Sequence, residues 1–84
     1  MDEPGHEDSV RRAPKSPLAR EIGRLVRSHR VSRGLTVRDV ADAALCTEHE
    51  IRRVELGYHE PTIRTVRKLA AALGADVSAL IPGG

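Results

Sequence analysis

Apolar residues recur at intervals of three and four along most of this chain, which is the spacing of helices that bury one face. The recurrence begins after Ser16, and no stretch shows the alternation of apolar and polar residues that is typical of a strand. Residues 1–15 differ, because they contain two prolines, a glycine and few apolar side chains, and cannot bury enough surface to offset the entropy of ordering. We therefore predict an all-α domain over residues 16–84, preceded by a disordered N-terminal tail over residues 1–15.

Capping and terminating residues divide the predicted domain into five short helices. Each helix begins after a side chain suited to accept a hydrogen bond from the first helical turn, and these side chains are Ser16, Thr36, Thr47, Thr62 and Asp76. Residues that do not continue a helix follow four of them, namely Gly34, Gly57, Gly74 and Pro82. The apolar stripes predicted to face the core comprise Leu18, Ile22, Leu25, Val26, Val37, Val40, Ala41, Ala44, Ile51, Val54, Ile63, Val66, Leu69, Ala70 and Leu73.

Length and composition indicate one small domain with an aliphatic core, since the 84 residues include no Trp or Phe and a single Tyr. No apolar run approaches the roughly 20 residues of a membrane span, and the acidic N-terminus does not resemble a signal peptide. The single cysteine, Cys46, cannot form an internal disulfide, so we expect a cytoplasmic protein. The net charge of +2 is too small to identify a nucleic-acid partner by itself.

The chain contains no recognisable catalytic constellation. Paired carboxylates, a nucleophile beside a base and a glycine-rich phosphate loop are all missing from the sequence, so we predict neither an enzyme nor a bound cofactor. Cys46, His49 and His59 are spaced as three zinc ligands could be. A fourth ligand is lacking and Cys46 is expected to face the core, so no metal site is predicted.

The third predicted helix, over residues 47–56, carries most of the candidate chemistry. At about 100° per residue, Ile51 and Val54 fall on its inward side. Its outward side holds His49, Arg52, Arg53 and Leu56. Thr47 and Glu50 have the spacing of a capping box, in which each side chain bonds the backbone amide of the other residue. Glu50 is therefore interpreted as a structural residue.

Two stretches resemble the phage-repressor and Cro class of helix-turn-helix domain, the XRE type. They are GLTVRDVADAALCTEHEIRRVELG over residues 34–57 and PTIRTVRKLAAALGADVSALI over residues 61–81. The first is similar to the family in its Gly-Leu-Thr, its turn and its Ile-x-x-Val-Glu-x-Gly, and the second in its Leu-Ala-x-Ala-Leu-Gly. The resemblance implies that helix 47–56 lies in the major groove of DNA.

The resemblance also implies roles for individual residues. The side chains expected to read base edges are Val37, Glu48, His49 and Arg53. Those expected to contact phosphates are Arg38, Thr47, Arg52, Tyr58 and His59. Arg30 and Glu55 occupy the positions of a buried ion pair that joins the first helix to the third.

Three residues depart from the family pattern. Leu45 replaces the usual turn glycine, so a non-glycine residue is expected at positive φ. Val37 replaces a frequent Gln; its periodicity places it in the core stripe, whereas the resemblance, which we follow, places it near the groove. Glu48 replaces a residue that is commonly neutral or basic.

These observations predict a sequence-specific DNA-binding transcriptional regulator that binds a two-fold site as a homodimer. The alternatives are a protein-interaction module and an antitoxin-type regulator that docks a toxin as well as DNA. Two basic clusters stay open to interpretation. Residues Arg11, Arg12 and Lys15 fit either a solvated tail or an arm that grasps DNA, and Arg64, Arg67 and Lys68 fit either a solvated face or phosphate contacts.

Overall fold

A computed structural model describes residues 14–83 of the protein. Within this range the chain forms helices α1 (Pro17–Ser32), α2 (Val37–Ala44), α3 (Glu48–Glu55) and α4 (Ile63–Leu73), followed by a 3-10 turn (Val77–Leu80). The predicted all-α class is confirmed. Of the tail predicted over residues 1–15, residues 1–13 lie outside the described range.

The predicted fifth helix is wrong, because the chain forms only a single 3-10 turn there. The Asp76 side chain makes no capping hydrogen bond, and the turn is closed instead by the Ala79 amide, which donates to the Asp76 carbonyl at 3.0 Å. Ile81 already has an extended backbone, with φ −116° and ψ 125°. This is the conformation that the following Pro82 favours, because the proline ring clashes with a helical residue before it. Residues 16–83 therefore contain four α-helices.

The other four predicted caps are present as side-chain hydrogen bonds. Ser16 Oγ accepts from the Ala19 amide at 3.0 Å, and Thr62 Oγ1 accepts from the Thr65 amide at 3.2 Å. Thr36 and Thr47 each form a full capping box. These short-range bonds satisfy amides that would otherwise lack a partner at the start of each helix, and so define where each helix begins.

The core is aliphatic and lies where all four helices and the 3-10 turn meet. Its largest fully buried side chains are Val26, Val40, Ile51, Leu69, Leu73 and Leu80. Two predicted core residues lie instead on the surface, since Leu18 is 44% exposed and Ile63 is 55% exposed. Both occupy the first turn of their helix, beyond the end of the packed stripe, where the helical period continues but no neighbouring element covers it.

One close helix contact fixes the position of α3. A Cβ atom added at Gly23 on α1 would lie 2.2 Å from the Val54 carbonyl oxygen and 2.7 Å from the Glu55 carbonyl oxygen. No side chain fits at these distances, so Gly23 lets the backbone of α1 pack directly against the C-terminal end of α3. The sequence pattern alone did not identify this contact.

Candidate nucleic-acid interface

The turn between α2 and α3 is built around Leu45. This residue adopts φ 58° and ψ 42°, in the left-handed region, as the sequence predicted. The conformation lets the Leu45 amide donate to the Asp42 carbonyl at 3.4 Å and the Cys46 amide donate to the Ala41 carbonyl at 2.9 Å. The Leu45 side chain is 86% exposed, so its packing does not compensate for the strained backbone.

The N-terminus of α3 is held by Thr47 and Glu50. Thr47 Oγ1 accepts from the Glu50 amide at 3.0 Å, and Glu50 Oε1 accepts from the Thr47 amide at 2.9 Å. The hydrogen bond from the Thr47 backbone holds the pKa of the Glu50 carboxyl below its usual value of 4.5. The Glu50 charge is thus used at the positive end of the helix dipole and is not directed at a ligand.

The C-terminus of α3 is held by a largely buried ion pair between Arg30 and Glu55. Arg30 Nε and Nη2 donate to the two oxygens of Glu55 at 2.6 and 3.1 Å, and Arg30 Nη1 donates to the Leu35 carbonyl at 2.9 Å. The side chains are only 14% and 7% exposed. The hydrogen bond to Glu55 raises the pKa of the Arg30 guanidinium. One guanidinium therefore connects α1, α3 and the segment that leads into α2.

The outward face of α3 carries the exposed side chains of His49, Arg52 and Arg53. Beside them, Glu48 approaches Arg52, with Glu48 Oε1 3.4 Å from Arg52 Nη1. Both side chains remain partly open to solvent, at 43% and 60% exposed. The sequence interpretation assigned Glu48 to base reading and did not pair it with Arg52. The spacing of an acid four residues before an arginine on a helix was the signal that could have revealed this pair.

The remaining predicted contact residues fall into two further groups. His59 joins His49, Glu50 and Arg53 around a shallow depression of about 280 Å³. On α2, Arg38 is exposed and lies 4.0 Å from Asp42, whereas Val37 is half-buried and packs against the core. Val37 therefore matches its helical periodicity and presents only part of its surface outward.

Tyr58 lies apart from the His49–Arg53 depression. It is half-buried and lines an open groove between α1 and the C-terminal end of α3. Thr47 is exposed at the front of α3, but its hydroxyl already accepts the capping bond. The structure thus brings His49, Arg53 and His59 together, places Arg52 and Glu48 on the neighbouring flank, and leaves Tyr58 at the far end of the helix.

No group of three or more His, Cys, Asp or Glu side chains within residues 14–83 is arranged to hold a metal ion. Cys46 is half-buried, with its thiol 3.5 Å from the Ala44 carbonyl. Among the helices described, none is both long enough and apolar enough to span a bilayer.

Comparison with known proteins gives the family. Residues 21–80 match the helix-turn-helix domain family. The clp gene regulator ClgR of C. glutamicum is 32% identical with a TM-score of 0.72, and the match covers 77% of this chain and 86% of that one. An HTH_3 family transcriptional regulator from Vibrio cholerae is 30% identical with a TM-score of 0.72, over 75% of this chain and 35% of that one.

A third structure shares the fold. It is the restriction-modification controller protein C.AhdI from Aeromonas hydrophila, which is 24% identical with a TM-score of 0.73, over 75% of this chain and 96% of that one. Among proteins with curated functions, none matches the chain. The family match and the similar structures confirm the resemblance seen in residues 34–57 and 61–81. The chain belongs to the XRE-type helix-turn-helix family of DNA-binding transcriptional regulators.

Proposed function

We propose that this protein is a sequence-specific transcriptional regulator that places α3 in the major groove of DNA. The observation that carries the proposal is the division of α3 into two faces. Ile51 and Val54 are buried in the core, while His49, Arg52 and Arg53 are exposed on the opposite side. A helix whose inner face is fixed and whose outer face presents hydrogen-bond donors has the form that reads base edges.

Within this proposal, Arg53 and His49 are the principal base-reading residues. Arg53 has five N–H donors, and two of them can bond the two acceptors that guanine presents in the major groove. His49 lies at the centre of the outward face and offers one ring nitrogen as donor or acceptor. Glu48 and the exposed part of Val37 complete the set, with the valine methyl groups suited to the methyl group of thymine.

The phosphate contacts are proposed for side chains at the edges of the same surface. Arg52, on the outward face of α3, and Arg38, on α2, are exposed cations. Thr47, Tyr58 and His59 add polar groups at the two ends of α3. Contacts of this kind fix the register of the protein on the duplex without reading sequence. We further propose that two copies bind a two-fold site, as is usual for domains of this type.

Glu48 is proposed to act as a selector against wrong sites. Its carboxylate neutralises part of the Arg52 charge in the free protein, because the two groups lie 3.4 Å apart. Nearby phosphates repel it, and the only favourable partner on a base edge is the amino group of cytosine or adenine. Glu48 therefore lowers the affinity for DNA in general, and it lowers it less at sites where an amino group faces its carboxylate.

The test is selection of a binding site from a pool of randomised duplexes at low salt, followed by binding measurements on variants. Arg53→Ala is expected to relax preference at one base pair by about 1–3 kcal/mol, because a bidentate contact to guanine is lost. Arg52→Ala is expected to weaken all duplexes and to reduce the salt dependence, because a phosphate contact is lost. Equal weakening of every duplex by Arg53→Ala would instead make Arg53 a phosphate contact.

The same selection tests Glu48. Glu48→Gln is expected to tighten binding to random DNA and to blur one position of the site. Equal tightening on specific and random DNA would show that Glu48 is only repulsive. Absence of binding to any duplex at low salt would contradict the proposed function, and a domain that docks a protein such as a toxin would replace it.

A further inference from the structure

A row of arginines on α1 forms a second basic surface outside the predicted contact residues. Arg20, Arg24 and Arg27 are all exposed. They follow one another at intervals of four and three residues, so they project from one side of the helix. Together with Leu56 and Tyr58, they line the open groove between α1 and the end of α3, which has a volume of about 780 Å³.

The groove is positively charged. Arg24 is bonded to Glu21 on the same helix, with donor–acceptor distances of 3.1 and 3.0 Å. Neither Arg20 nor Arg27 takes part in an ion pair among the described residues. Glu55 also borders the groove, but its carboxylate is turned toward Arg30 and is only 7% exposed. Glu21 itself lines the groove and offsets part of the Arg24 charge, so the net positive charge that the groove presents to solvent comes mainly from Arg20 and Arg27.

The groove is continuous with the outward face of α3. Leu56 follows the last residue of α3 and is 56% exposed, on the side of the helix axis that also carries His49 and Arg52. The same Leu56 side chain forms one wall of the groove. A nucleic-acid strand that leaves the outward face of α3 at its C-terminal end would therefore pass directly into the arginine row.

We infer that Arg20, Arg24 and Arg27 contact the phosphate backbone of the DNA that flanks the site held by α3. This inference rests on the proposed function and extends the footprint of the protein beyond the bases it reads. Arg20 and Arg27 are seven residue steps apart, which corresponds to about 10 Å along the helix. One DNA strand advances about 3.4 Å per phosphate along the duplex axis, so the row matches about three phosphates.

The experiment compares two duplexes that contain the same selected site. The short duplex ends at the outermost selected base pair, and the long duplex adds about ten unselected base pairs on each side, which is roughly one helical turn. The dissociation constant is measured for both at several salt concentrations. Each phosphate contact adds about 0.9 to the slope of log affinity against log salt, so the long duplex is expected to give a slope steeper by about 2 to 3 for each copy of the protein that binds.

The variants locate the cause of the difference. Arg20→Gln combined with Arg27→Gln is expected to remove about 2 from the slope on the long duplex for each bound copy and to leave the slope on the short duplex unchanged. Arg20→Lys combined with Arg27→Lys is expected to retain the slope, because the charge is kept. The matched control is Arg33→Gln at the C-terminal end of α1, which removes an exposed arginine that does not line the groove. It is expected to leave the difference between the two duplexes unaltered.

Two results would overturn the inference. One is an equal salt slope for the wild type on both duplexes. The other is a glutamine variant whose salt slope falls on the short duplex as much as on the long one. If either result is found while the short duplex is still bound with its base preference intact, the proposed function stands and only the inferred flanking contact is refuted. If no duplex is bound, both the proposed function and the flanking contact are refuted. Unchanged thermal unfolding of the glutamine variant shows that any loss of binding does not come from unfolding.

Discussion

Removal of the Glu55 carboxylate tests how α3 is held against the rest of the domain. Glu55→Ala leaves the Arg30 guanidinium in a site where it is only 14% exposed and keeps one of its three hydrogen bonds, the one to the Leu35 carbonyl. Arg30 cannot lose its charge at ordinary pH. Breaking a buried pair in this way costs about 3–5 kcal/mol, because a desolvated charge is left without its partner.

The expected loss is a large part of the stability of so small a protein. At about 0.05–0.15 kcal/mol per residue, a domain of this size has on the order of 4–13 kcal/mol in total. Unfolding in urea, followed by the helical circular dichroism signal, is the appropriate assay. With a slope of about 1.5 kcal/mol per molar urea, within the usual range of about 1–3, the midpoint is expected to fall by roughly 2–3 M.

A matched control exists on the surface of α1. Arg24 and Glu21 form the same type of two-bond pair, but their side chains are 63% and 45% exposed. Glu21→Ala is therefore expected to change the urea midpoint very little, because an exposed ion pair contributes little free energy beyond the hydration of its separate charges. Replacing both Arg30 and Glu55 with apolar residues of similar size is expected to recover most of the loss. A negligible effect of Glu55→Ala would refute the reasoning that burial makes this pair important.

Three further predictions concern stability. The pKa of Glu50 in the folded protein lies below 4.5, so its capping contribution is present above that pH and is lost as the pH falls through the lowered pKa. Glu50→Gln should therefore reduce the drop in melting temperature that acid causes, and it should leave the selected DNA site unaltered. Gly23→Ala should destabilise the domain by about 1–3 kcal/mol or more in urea, because the added Cβ meets the α3 backbone; a neutral effect would show that α1 moves away without penalty. Leu45→Gly should raise the free energy of unfolding by up to about 1 kcal/mol, because the strain of a left-handed leucine exceeds the extra backbone entropy that a glycine loses on folding. A lower melting temperature would contradict this and would mean that the exposed leucine has a contact not seen in the monomer.

Features that depend on a few neighbouring residues were predictable from the sequence. The capping boxes at Thr36 and Thr47 each join residues three positions apart, so the types of these two residues determine whether the bonds can form. The left-handed Leu45 was likewise predicted, because the turn geometry of the family requires that conformation whatever residue occupies it. The Arg30–Glu55 pair, which spans 25 positions, was reached only through the family resemblance.

Features that depend on which elements cover one another were not predictable. Helical periodicity assigns Ile63 to the inward stripe, but whether anything packs over the first turn of α4 is decided by the tertiary arrangement. The contact of Gly23 with the α3 backbone has the same origin, since a glycine in a helix can equally be a neutral surface residue. The groove beside Arg20 and Arg27 also arises from the packing of two separate helices, and no single stretch of sequence contains it.

The two faces of α3 explain how an eight-residue helix can serve as a rigid reader. A helix of this length is not stable alone, because too few hydrogen bonds follow the costly first turn. Its order comes from the capping box at its N-terminus and from groups that face away from the proposed DNA surface, which are the buried Ile51 and Val54 and the Glu55 ion pair. None of these interactions has to be broken when DNA binds. Among the described residues, the only ion pair on the proposed DNA surface of α3 is the weak, exposed one between Glu48 and Arg52. Substitutions on the outward face should therefore change which DNA is bound while leaving the fold intact, and substitutions on the inward face should do the reverse.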